Sequence, residues 1–389
     1  MNKENLLKSF TELYGDVRPE CFFAPGRVNL IGEHTDHEGG YVFPCAIAFG
    51  IYALAAVRPR DTVRLYSLNF DNNKIIEVPI NNIKYDKAND WANYPLGVIN
   101  IFERHGYKLP SGLDILFCGN LPEGAGLSSS AAIEVLTGRI INDLFNFNLD
   151  GVKIALYAQE AENDFVGMHC GIMDQFASSM GKKDNAVLLD CASLKYEYAP
   201  LNLGEYKIVI TNSNMPHSLN NSAYNLRREQ CEAALSDLQK VIKIKKLCEL
   251  NLSEFKAVKD AVKSPEALKR ARHAISENAR TLQAVQALKA GDLKTFGELM
   301  NASHISLKDD YEVTIPELDI LAELAWAQDG VAGSRMTGGG FGGCTVSIVK
   351  ESCIDEFKKH VGEKYLVRTG RKADFYVTET ADGARKILN

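Results

Sequence analysis

Apolar and polar positions along the chain alternate between two periods, and the switches between them mark the elements. A continuous apolar run at Leu113 to Cys118 predicts a buried strand. It is followed by LPEGAGLSSSAA (Leu121 to Ala132) and then by Ile133, Leu136, Ile140 and Leu144 at helix-face spacing. Strand, glycine-rich turn and helix are therefore expected in succession. Upstream, MNKENLLKSFTELYGD has an amphipathic helical pattern, and apolar runs at Cys21 to Ala24 and Val42 to Val57 read as strands. Two more strands are expected within Arg64 to Ile80, and a helix from Asn89 to Phe102. Downstream, Gly151 to Asn163 reads as a helix. A composition shift at Ser193 to Gly204 then separates an N-terminal domain (1–195) from a C-terminal one (205–389). The second half is predicted to hold a strand at Tyr206 to Asn212 and a helix from Asn225. Further helices are expected over Glu266 to Ala290, Leu293 to Ser306 and Pro316 to Gln328. A glycine-rich run then enters a strand, followed by a helix at Ser352 to Tyr365 and a last strand at Ala373 to Thr378.

Length supports the two-domain division, since 389 residues exceed what one average core organises. Hydrophobic content of 46% with 24% charged residues belongs to a globular protein, and no apolar run reaches membrane-spanning length. A formal charge of −6 without a basic block argues against nucleic-acid or anionic-membrane partners. Nine scattered cysteines, an odd number with no CxxC pair, point to reduced thiols and a cytoplasmic location. The N-terminal stretch carries acidic residues and does not read as a signal peptide.

Chemistry concentrates in three places. In the loop before the predicted helix, backbone N–H groups and the helix dipole converge on one point, a geometry that binds phosphate. Gly124 and Gly126 permit close approach of a ligand, while Ser128, Ser129 and Ser130 supply hydroxyls for oxygens, for a metal, or for capping. An ordinary turn with a serine cap uses the same residues. No Gly-Lys-Ser/Thr ending is present, so a phosphate here needs counter-charge from elsewhere. The second place is a polar knot, Arg27 to Gly40, between two apolar runs. Arg27 can fork onto an anion, and Glu33, His34 and Asp36 can exchange hydrogen bonds with hydroxyls. Glu33, His34, Asp36 and His37 also have metal-ligand chemistry, and a plain surface loop is the third reading. The third place is Asp174, a carboxylate among Gly171, Ile172, Met173, Phe176 and Ala177. It is either a catalytic acid or base or a capping residue. Glu160 and Glu162 end a predicted helix where they oppose its dipole unless a cation is near. Glu160 reads as exposed. Trp91 and Tyr94 at the start of a helix are core residues or the walls of an adenine pocket.

Three motifs in order, GRVNLIGEHTD, LPEGAGLSSSAA and RMTGGGFGGCTV, resemble the signatures of the GHMP small-molecule kinases, and the first resembles that of the galactokinases. CGIMDQF and NSAYNLRREQCE share that resemblance, which runs nearly the length of the chain. It implies an α+β fold of two domains meeting at an active-site cleft. The N-terminal domain would be like ribosomal protein S5 domain 2, and the C-terminal one ferredoxin-like. The implied reaction is transfer of a phosphoryl group from ATP to the anomeric hydroxyl of α-D-galactose, giving galactose 1-phosphate and ADP. Carried over by position, Arg27 and Asp174 flank the reacting oxygen, with Asp174 either accepting its proton or orienting it. Glu33, His34, Asp36, the backbone of Gly171 and the phenol of Tyr224 hold the sugar. Gly124, Ala125, Gly126, Leu127, Ser128, Ser129 and Ser130 hold the nucleotide, Trp91 and Tyr94 lie near the adenine, and Ser130 and Glu162 hold Mg²⁺. A monomer is expected. The chain departs from the pattern at His37-Glu38, where galactokinases commonly have Tyr-Asn. A kinase for N-acetylgalactosamine, arabinose or a uronic acid is thus an alternative, and a non-catalytic sensor of galactose and ATP is another.

Overall fold

The computed structural model describes residues 3–70, 74–122, 126–215 and 220–387. The first half runs α1 (Lys3–Tyr14), β1 (Glu20–Asn29), β2 (Tyr41–Val42), β3 (Pro44–Arg58), β4 (Thr62–Ser67), β5 (Ile76–Pro79), α2 (Asn93–Arg104), β6 (Gly112–Gly119), α3 (Ser129–Leu144), α4 (Gly151–Glu160), α5 (Met173–Met180), β7 (Asn185–Asp190) and β8 (Tyr196–Pro200). The second runs β9 (Tyr206–Asn212), α6 (Asn220–Leu238), α7 (Leu252–Val258), α8 (Pro265–Lys289), α9 (Leu293–Ser306), α10 (Pro316–Trp326), β10 (Val331–Thr337), β11 (Cys344–Lys350), α11 (Ile354–Thr369), β12 (Asp374–Thr378) and β13 (Arg385–Ile387).

The first sheet has the order β13-β1-β3-β6-β4-β5, antiparallel except for the β4–β6 pair. The apolar run of β6 is central, and both of its faces are covered. Ile115 and Phe117 meet Leu96, Ile99, Leu136 and Ile140 of α2 and α3, while Leu116 meets Phe10 of α1 on the other side. Covering both faces removes the alternation that a half-solvated strand would show. Asp114 interrupts the run fully buried, and three arginines answer it: Arg58, Arg60 and Arg64 all pair with its carboxylate.

The second domain is a four-stranded antiparallel sheet, β10-β11-β9-β12, built as strand, helices, two strands, helix, strand. That order is the ferredoxin-like one. An apolar cluster joins the two halves, with Val28, Ile31, Phe43 and Ile47 of the first packed with Ile210, Val346, Val285 and Phe296 of the second. Two features depart from the sequence reading. The stretch expected to be a domain break contains β8, which pairs with β7 in a third sheet, β2-β7-β8. Its exposed, polar edge position gives it no apolar run to read. Nor is β12 the last strand, because the chain crosses back at Thr380 and β13 pairs with β1. Three residues with one-sided burial are too short for periodicity to find. Among the described residues no helix is long and apolar enough to cross a membrane.

Candidate active site

Strand β1 enters the site at Arg27, where the antiparallel register with β3 shifts between Pro25 and Arg27. The irregularity lets the Arg27 amide bond the Leu127 carbonyl at 3.2 Å, so the strand touches the loop preceding α3. Gly26 makes this approach feasible, since a Cβ there would lie 2.6 Å from that same carbonyl oxygen. The Arg27 side chain is 4% exposed and forks onto Asp174 at the start of α5. Nε donates to Oδ1 at 2.8 Å and Nη2 to Oδ2 at 2.9 Å, and Nη1 donates to the Gly126 carbonyl at 2.7 Å. Ser128 Oγ donates to the same Asp174 oxygen at 2.5 Å. Such bidentate, charge-assisted contacts fix both partners in angle as well as distance. Ser128 is the residue before α3, yet it does not cap the helix. Its φ of 63° turns the hydroxyl to Asp174 instead. Gly124 and Ala125 of the sequence-predicted nucleotide loop lie outside the described residues.

Two cavities share Arg27, Asp174 and Gly339 as a common wall. One, of about 430 Å³, is also lined by Glu33, His34, Asp36, Glu162, Gly171 and Tyr224. The other, of about 270 Å³, is lined by Leu121, Pro122 and the 126–130 loop with its three serines. The structure thus brings the predicted sugar residues to one side of the fork and the predicted phosphate loop to the other. Trp91 and Tyr94 line neither cavity. Trp91 stacks on Phe70 at 5.7 Å and packs edge-on to Phe117. The Tyr94 phenol is pushed up to about 12 by burial and then by the charges of Glu162 and Glu134.

The knot is rigid because the second domain clasps it. Glu277 of α8 accepts from the Gly32 amide at 3.0 Å, Asn278 from the Tyr41 amide at 2.8 Å, and His273 Nε2 meets the Glu33 carbonyl at 3.1 Å. Glu33 is buried and its Oε1 is engaged, accepting from the Gly338 amide at 2.7 Å and from Thr337 and Arg335. Burial raises its carboxyl above the ordinary range, opposed by Arg335 and Arg27. Glu33 therefore ties the glycine-rich 338–340 loop to the knot as well as lining the cavity. His34, with φ 60°, stacks on Tyr311 at 4.5 Å, and among the described residues its buried Nε2 has no hydrogen-bond partner. Burial, then the neighbouring His37, holds its pKa well below the usual value, so the ring is neutral. Asp36 is drawn the other way. Burial would raise it, but bonds and charge from His37 and His34 leave it lowered, a carboxylate. Gly171 gives that carboxylate its room, since a Cβ there would sit 1.7 Å from Asp36 Oδ2. Tyr224 of α6 closes the ring at 5.7 Å from His34.

Behind the fork is a group that sequence reasoning only half found. Glu162 lies in a π-turn (Ala161–Val166) that continues α4, and is 6% exposed. It and Glu134 of α3 share the amide of Gln175, at 2.6 and 3.2 Å, and the Ser130 hydroxyl bonds Glu162. Burial, then the charge of Glu162, raises Glu134 well above the usual range, and burial, then Asp174, raises Glu162. Among the described residues Glu134 Oε1 has no hydrogen-bond partner. Two buried carboxylates with an orphan oxygen and a hydroxyl are chemically matched to a hard divalent cation. Nothing in the sequence singles out Glu134 or Gln175, and only the crossing of α3, α4 and α5 brings them together. Glu160, by contrast, points outward and pairs with His105 at 2.8 Å.

Comparison with known proteins identifies the family. Residues 8–57 match the galactokinase galactose-binding signature, 93–182 the GHMP kinases N terminal domain, and 284–366 the GHMP kinases C terminal domain. The chain is 55% identical over 388 residues to the galactokinase of Clostridium beijerinckii, covering 100% of both. It is 57% identical over 380 residues to that of Clostridium acetobutylicum, covering 98% of each. The crystal structure of Lactococcus lactis galactokinase complexed with galactose superposes with a TM-score of 0.97 at 45% identity over 99% of each chain. A mevalonate kinase, at 19% identity and a TM-score of 0.67, shares the fold. By sequence along its whole length and by structure, the chain belongs to the galactokinase family of GHMP kinases.

Proposed function

We propose that the protein transfers the γ-phosphoryl group of ATP to the anomeric hydroxyl of α-D-galactose, yielding galactose 1-phosphate and ADP. The observation that carries this reading is the Arg27–Asp174 fork on the wall shared by the two cavities. A sugar in the larger cavity and phosphates against the serine loop would meet there. Phosphoryl transfer asks a protein for alignment and charge stabilisation above all. Asp174, fixed by three donors, is suited to hold the attacking hydroxyl and take up its proton. Arg27 is suited to face the charge that develops on the transferring group.

His34, whose Nε2 has no hydrogen-bond partner among the described residues, and Asp36 are assigned to sugar hydroxyls, with Glu33, Gly171 and Tyr224 completing the cavity wall. An epimer that fails to match these groups would leave buried polar atoms unpaired, and that is the source of selectivity. Ser128, Ser129, Ser130, Leu127 and Gly126 are assigned to the phosphates, with Gly124 and Ala125, and Trp91 and Tyr94 to the adenine end. Ser130 and Glu162 are the residues that would hold Mg²⁺. When bound, the ion would neutralise phosphate charge, which suits a loop lacking a lysine. The protein is further assigned to the cytoplasm, acting as a monomer.

The test is ADP release over a panel of monosaccharides, with Asp174→Asn as the blank. Galactose should give turnover, and the variant should lose about 10²–10⁴ in rate while still binding ATP. Near-normal turnover in the variant would remove Asp174 from the chemistry. Turnover with N-acetylgalactosamine, arabinose or a uronic acid but not galactose would reassign the sugar. Binding of both ligands by the wild type without ADP release would make the protein a sensor.

A further inference from the structure

The His37-Glu38 pair, to which the proposed function assigns no substrate contact, borders a second cluster behind Asp36. His37 Nε2, a carboxylate oxygen of Glu38 and Cys231 Sγ lie within 4.8 Å of one another. Cys231 is fully buried and Glu38 is 4% exposed. The Tyr311 hydroxyl reaches the same point, 3.4 Å from His37 Nε2 and 3.7 Å from Cys231 Sγ. We propose that these residues form a site for a borderline-soft divalent cation of the zinc type, with His37 Nε2, Glu38 and Cys231 as ligands and Tyr311 on the fourth side.

Three observations support the assignment. The other ring nitrogen of His37 meets Asp36 Oδ1 at 3.1 Å. A carboxylate only accepts, so Nδ1 carries the proton and Nε2 presents its lone pair to the cluster. This is the carboxylate–histidine arrangement that orients metal-bound imidazoles. The Glu38 carboxylate, moreover, is buried and lies 3.7 Å from His37 Nε2, so two of the ligand atoms already face each other. Burying a carboxylate is costly unless it is paired or bound to a cation. Ligand type and spacing fit as well. One nitrogen, one thiolate and one carboxylate suit zinc and exclude magnesium. Tetrahedral bonds of about 2.0–2.3 Å place ligand atoms about 3.3–3.8 Å apart, so side-chain rotation of roughly an ångström closes the set. Binding would release the Cys231 proton to solvent, and thiolate plus carboxylate would then balance the ion's charge.

The consequence lies in α6. Tyr224 and Cys231 are seven residues apart, on one face of that helix. An ion at Cys231 would pin the helix that carries Tyr224 against the loop that carries Asp36.

The experiment uses chelator-treated full-length protein titrated with Zn²⁺ in the presence of excess Mg²⁺, read by calorimetry and by elemental analysis after gel filtration. One Zn²⁺ per chain is expected. Affinity should fall by about 100-fold or more in both Glu38→Gln and Cys231→Ser, above the usual loss from an outer-shell change. Loading with Co²⁺ should give a thiolate-to-metal charge-transfer band in the wild type and in Glu38→Gln, but none in Cys231→Ser. Circular dichroism checks that each variant is folded. Absence of stoichiometric binding, binding unchanged in both variants, or a loaded wild type without the band would each overturn the proposal. Should Cys231→Ser fail to fold, Glu38→Gln and the wild-type spectrum still decide.

Discussion

Gly171→Ala isolates the contact between the Asp36 loop and the turn leading to Asp174. The added Cβ would lie 1.7 Å from Asp36 Oδ2 and 2.2 Å from its Cγ. Gly171 is not in the left-handed region, so the substitution acts by contact and not by backbone strain. Restoring an ordinary separation of about 3.4 Å requires the carboxylate to retreat by roughly 1.7 Å, well beyond hydrogen-bond tolerance. Its bonds from the His37 amide and ring, at 3.0 and 3.1 Å, cannot survive that shift, nor can a bond to a sugar hydroxyl. Loss of one charged hydrogen bond to ligand is worth about 1.5–3 kcal/mol, so the KM for galactose should rise about 10–150-fold. ATP affinity, governed by the other cavity, should hold. A coupled ADP-release assay with galactose titrated at saturating ATP reads the effect. Asp36→Ala supplies the cycle: if the Cβ acts through Asp36, the double variant is no worse than Asp36→Ala alone. A KM within twofold of the wild type, or full additivity, would refute the reasoning.

Glu162→Gln should raise the Mg²⁺ concentration for half-maximal rate by about tenfold or more while leaving galactose KM alone; a Mg²⁺ titration checks this. Acid should destabilise the fold through buried histidines. Burial chiefly lowers His273 to about 4, and His34 shifts the same way. The unfolded chain therefore binds more protons between roughly pH 6.5 and 4, and stability present above that window is lost as pH falls through it, by about 3 kcal/mol for His273. Urea midpoints measured across that range should decline, and less steeply in His273→Gln; a flat profile in the wild type would contradict the burial argument. Asp114→Ala leaves three arginines facing each other beneath the sheet. It should cost about 3 kcal/mol or more in a urea unfolding experiment without moving galactose KM.

Much of this architecture was legible because burial imposes periods on the sequence. The β6 run, the helix face of α3 and the long helices of the second half are each several turns or a full strand in length. Elements stabilised from one side over few residues left no such trace, and β8 and β13 are of that kind. Within the site, Arg27 stood out as part of a concentrated polar knot and Asp174 as a charge in apolar company. The role of Ser128 did not, because a serine before a helix reads as a cap and only its positive φ redirects the hydroxyl. Glu134 and Gln175 were hidden for a different reason. Each is one polar position in an amphipathic helix, and it takes three helices crossing to show that they face inward together. Glu33 was visible as a polar residue, but its bond to the Gly338 amide spans 305 positions, and no local pattern encodes a partner that distant.

The return of the chain to β1 after β12 gives the molecule two covalent tethers between its halves, one near residue 203 and one near residue 382. A body held at two points resists twisting about any line but the one through them. The same stitch sets an order for assembly on the ribosome. β1 lies near the start of the chain and gains its β13 neighbour only after the second half has been made, so until then it has a bare edge able to recruit a foreign strand.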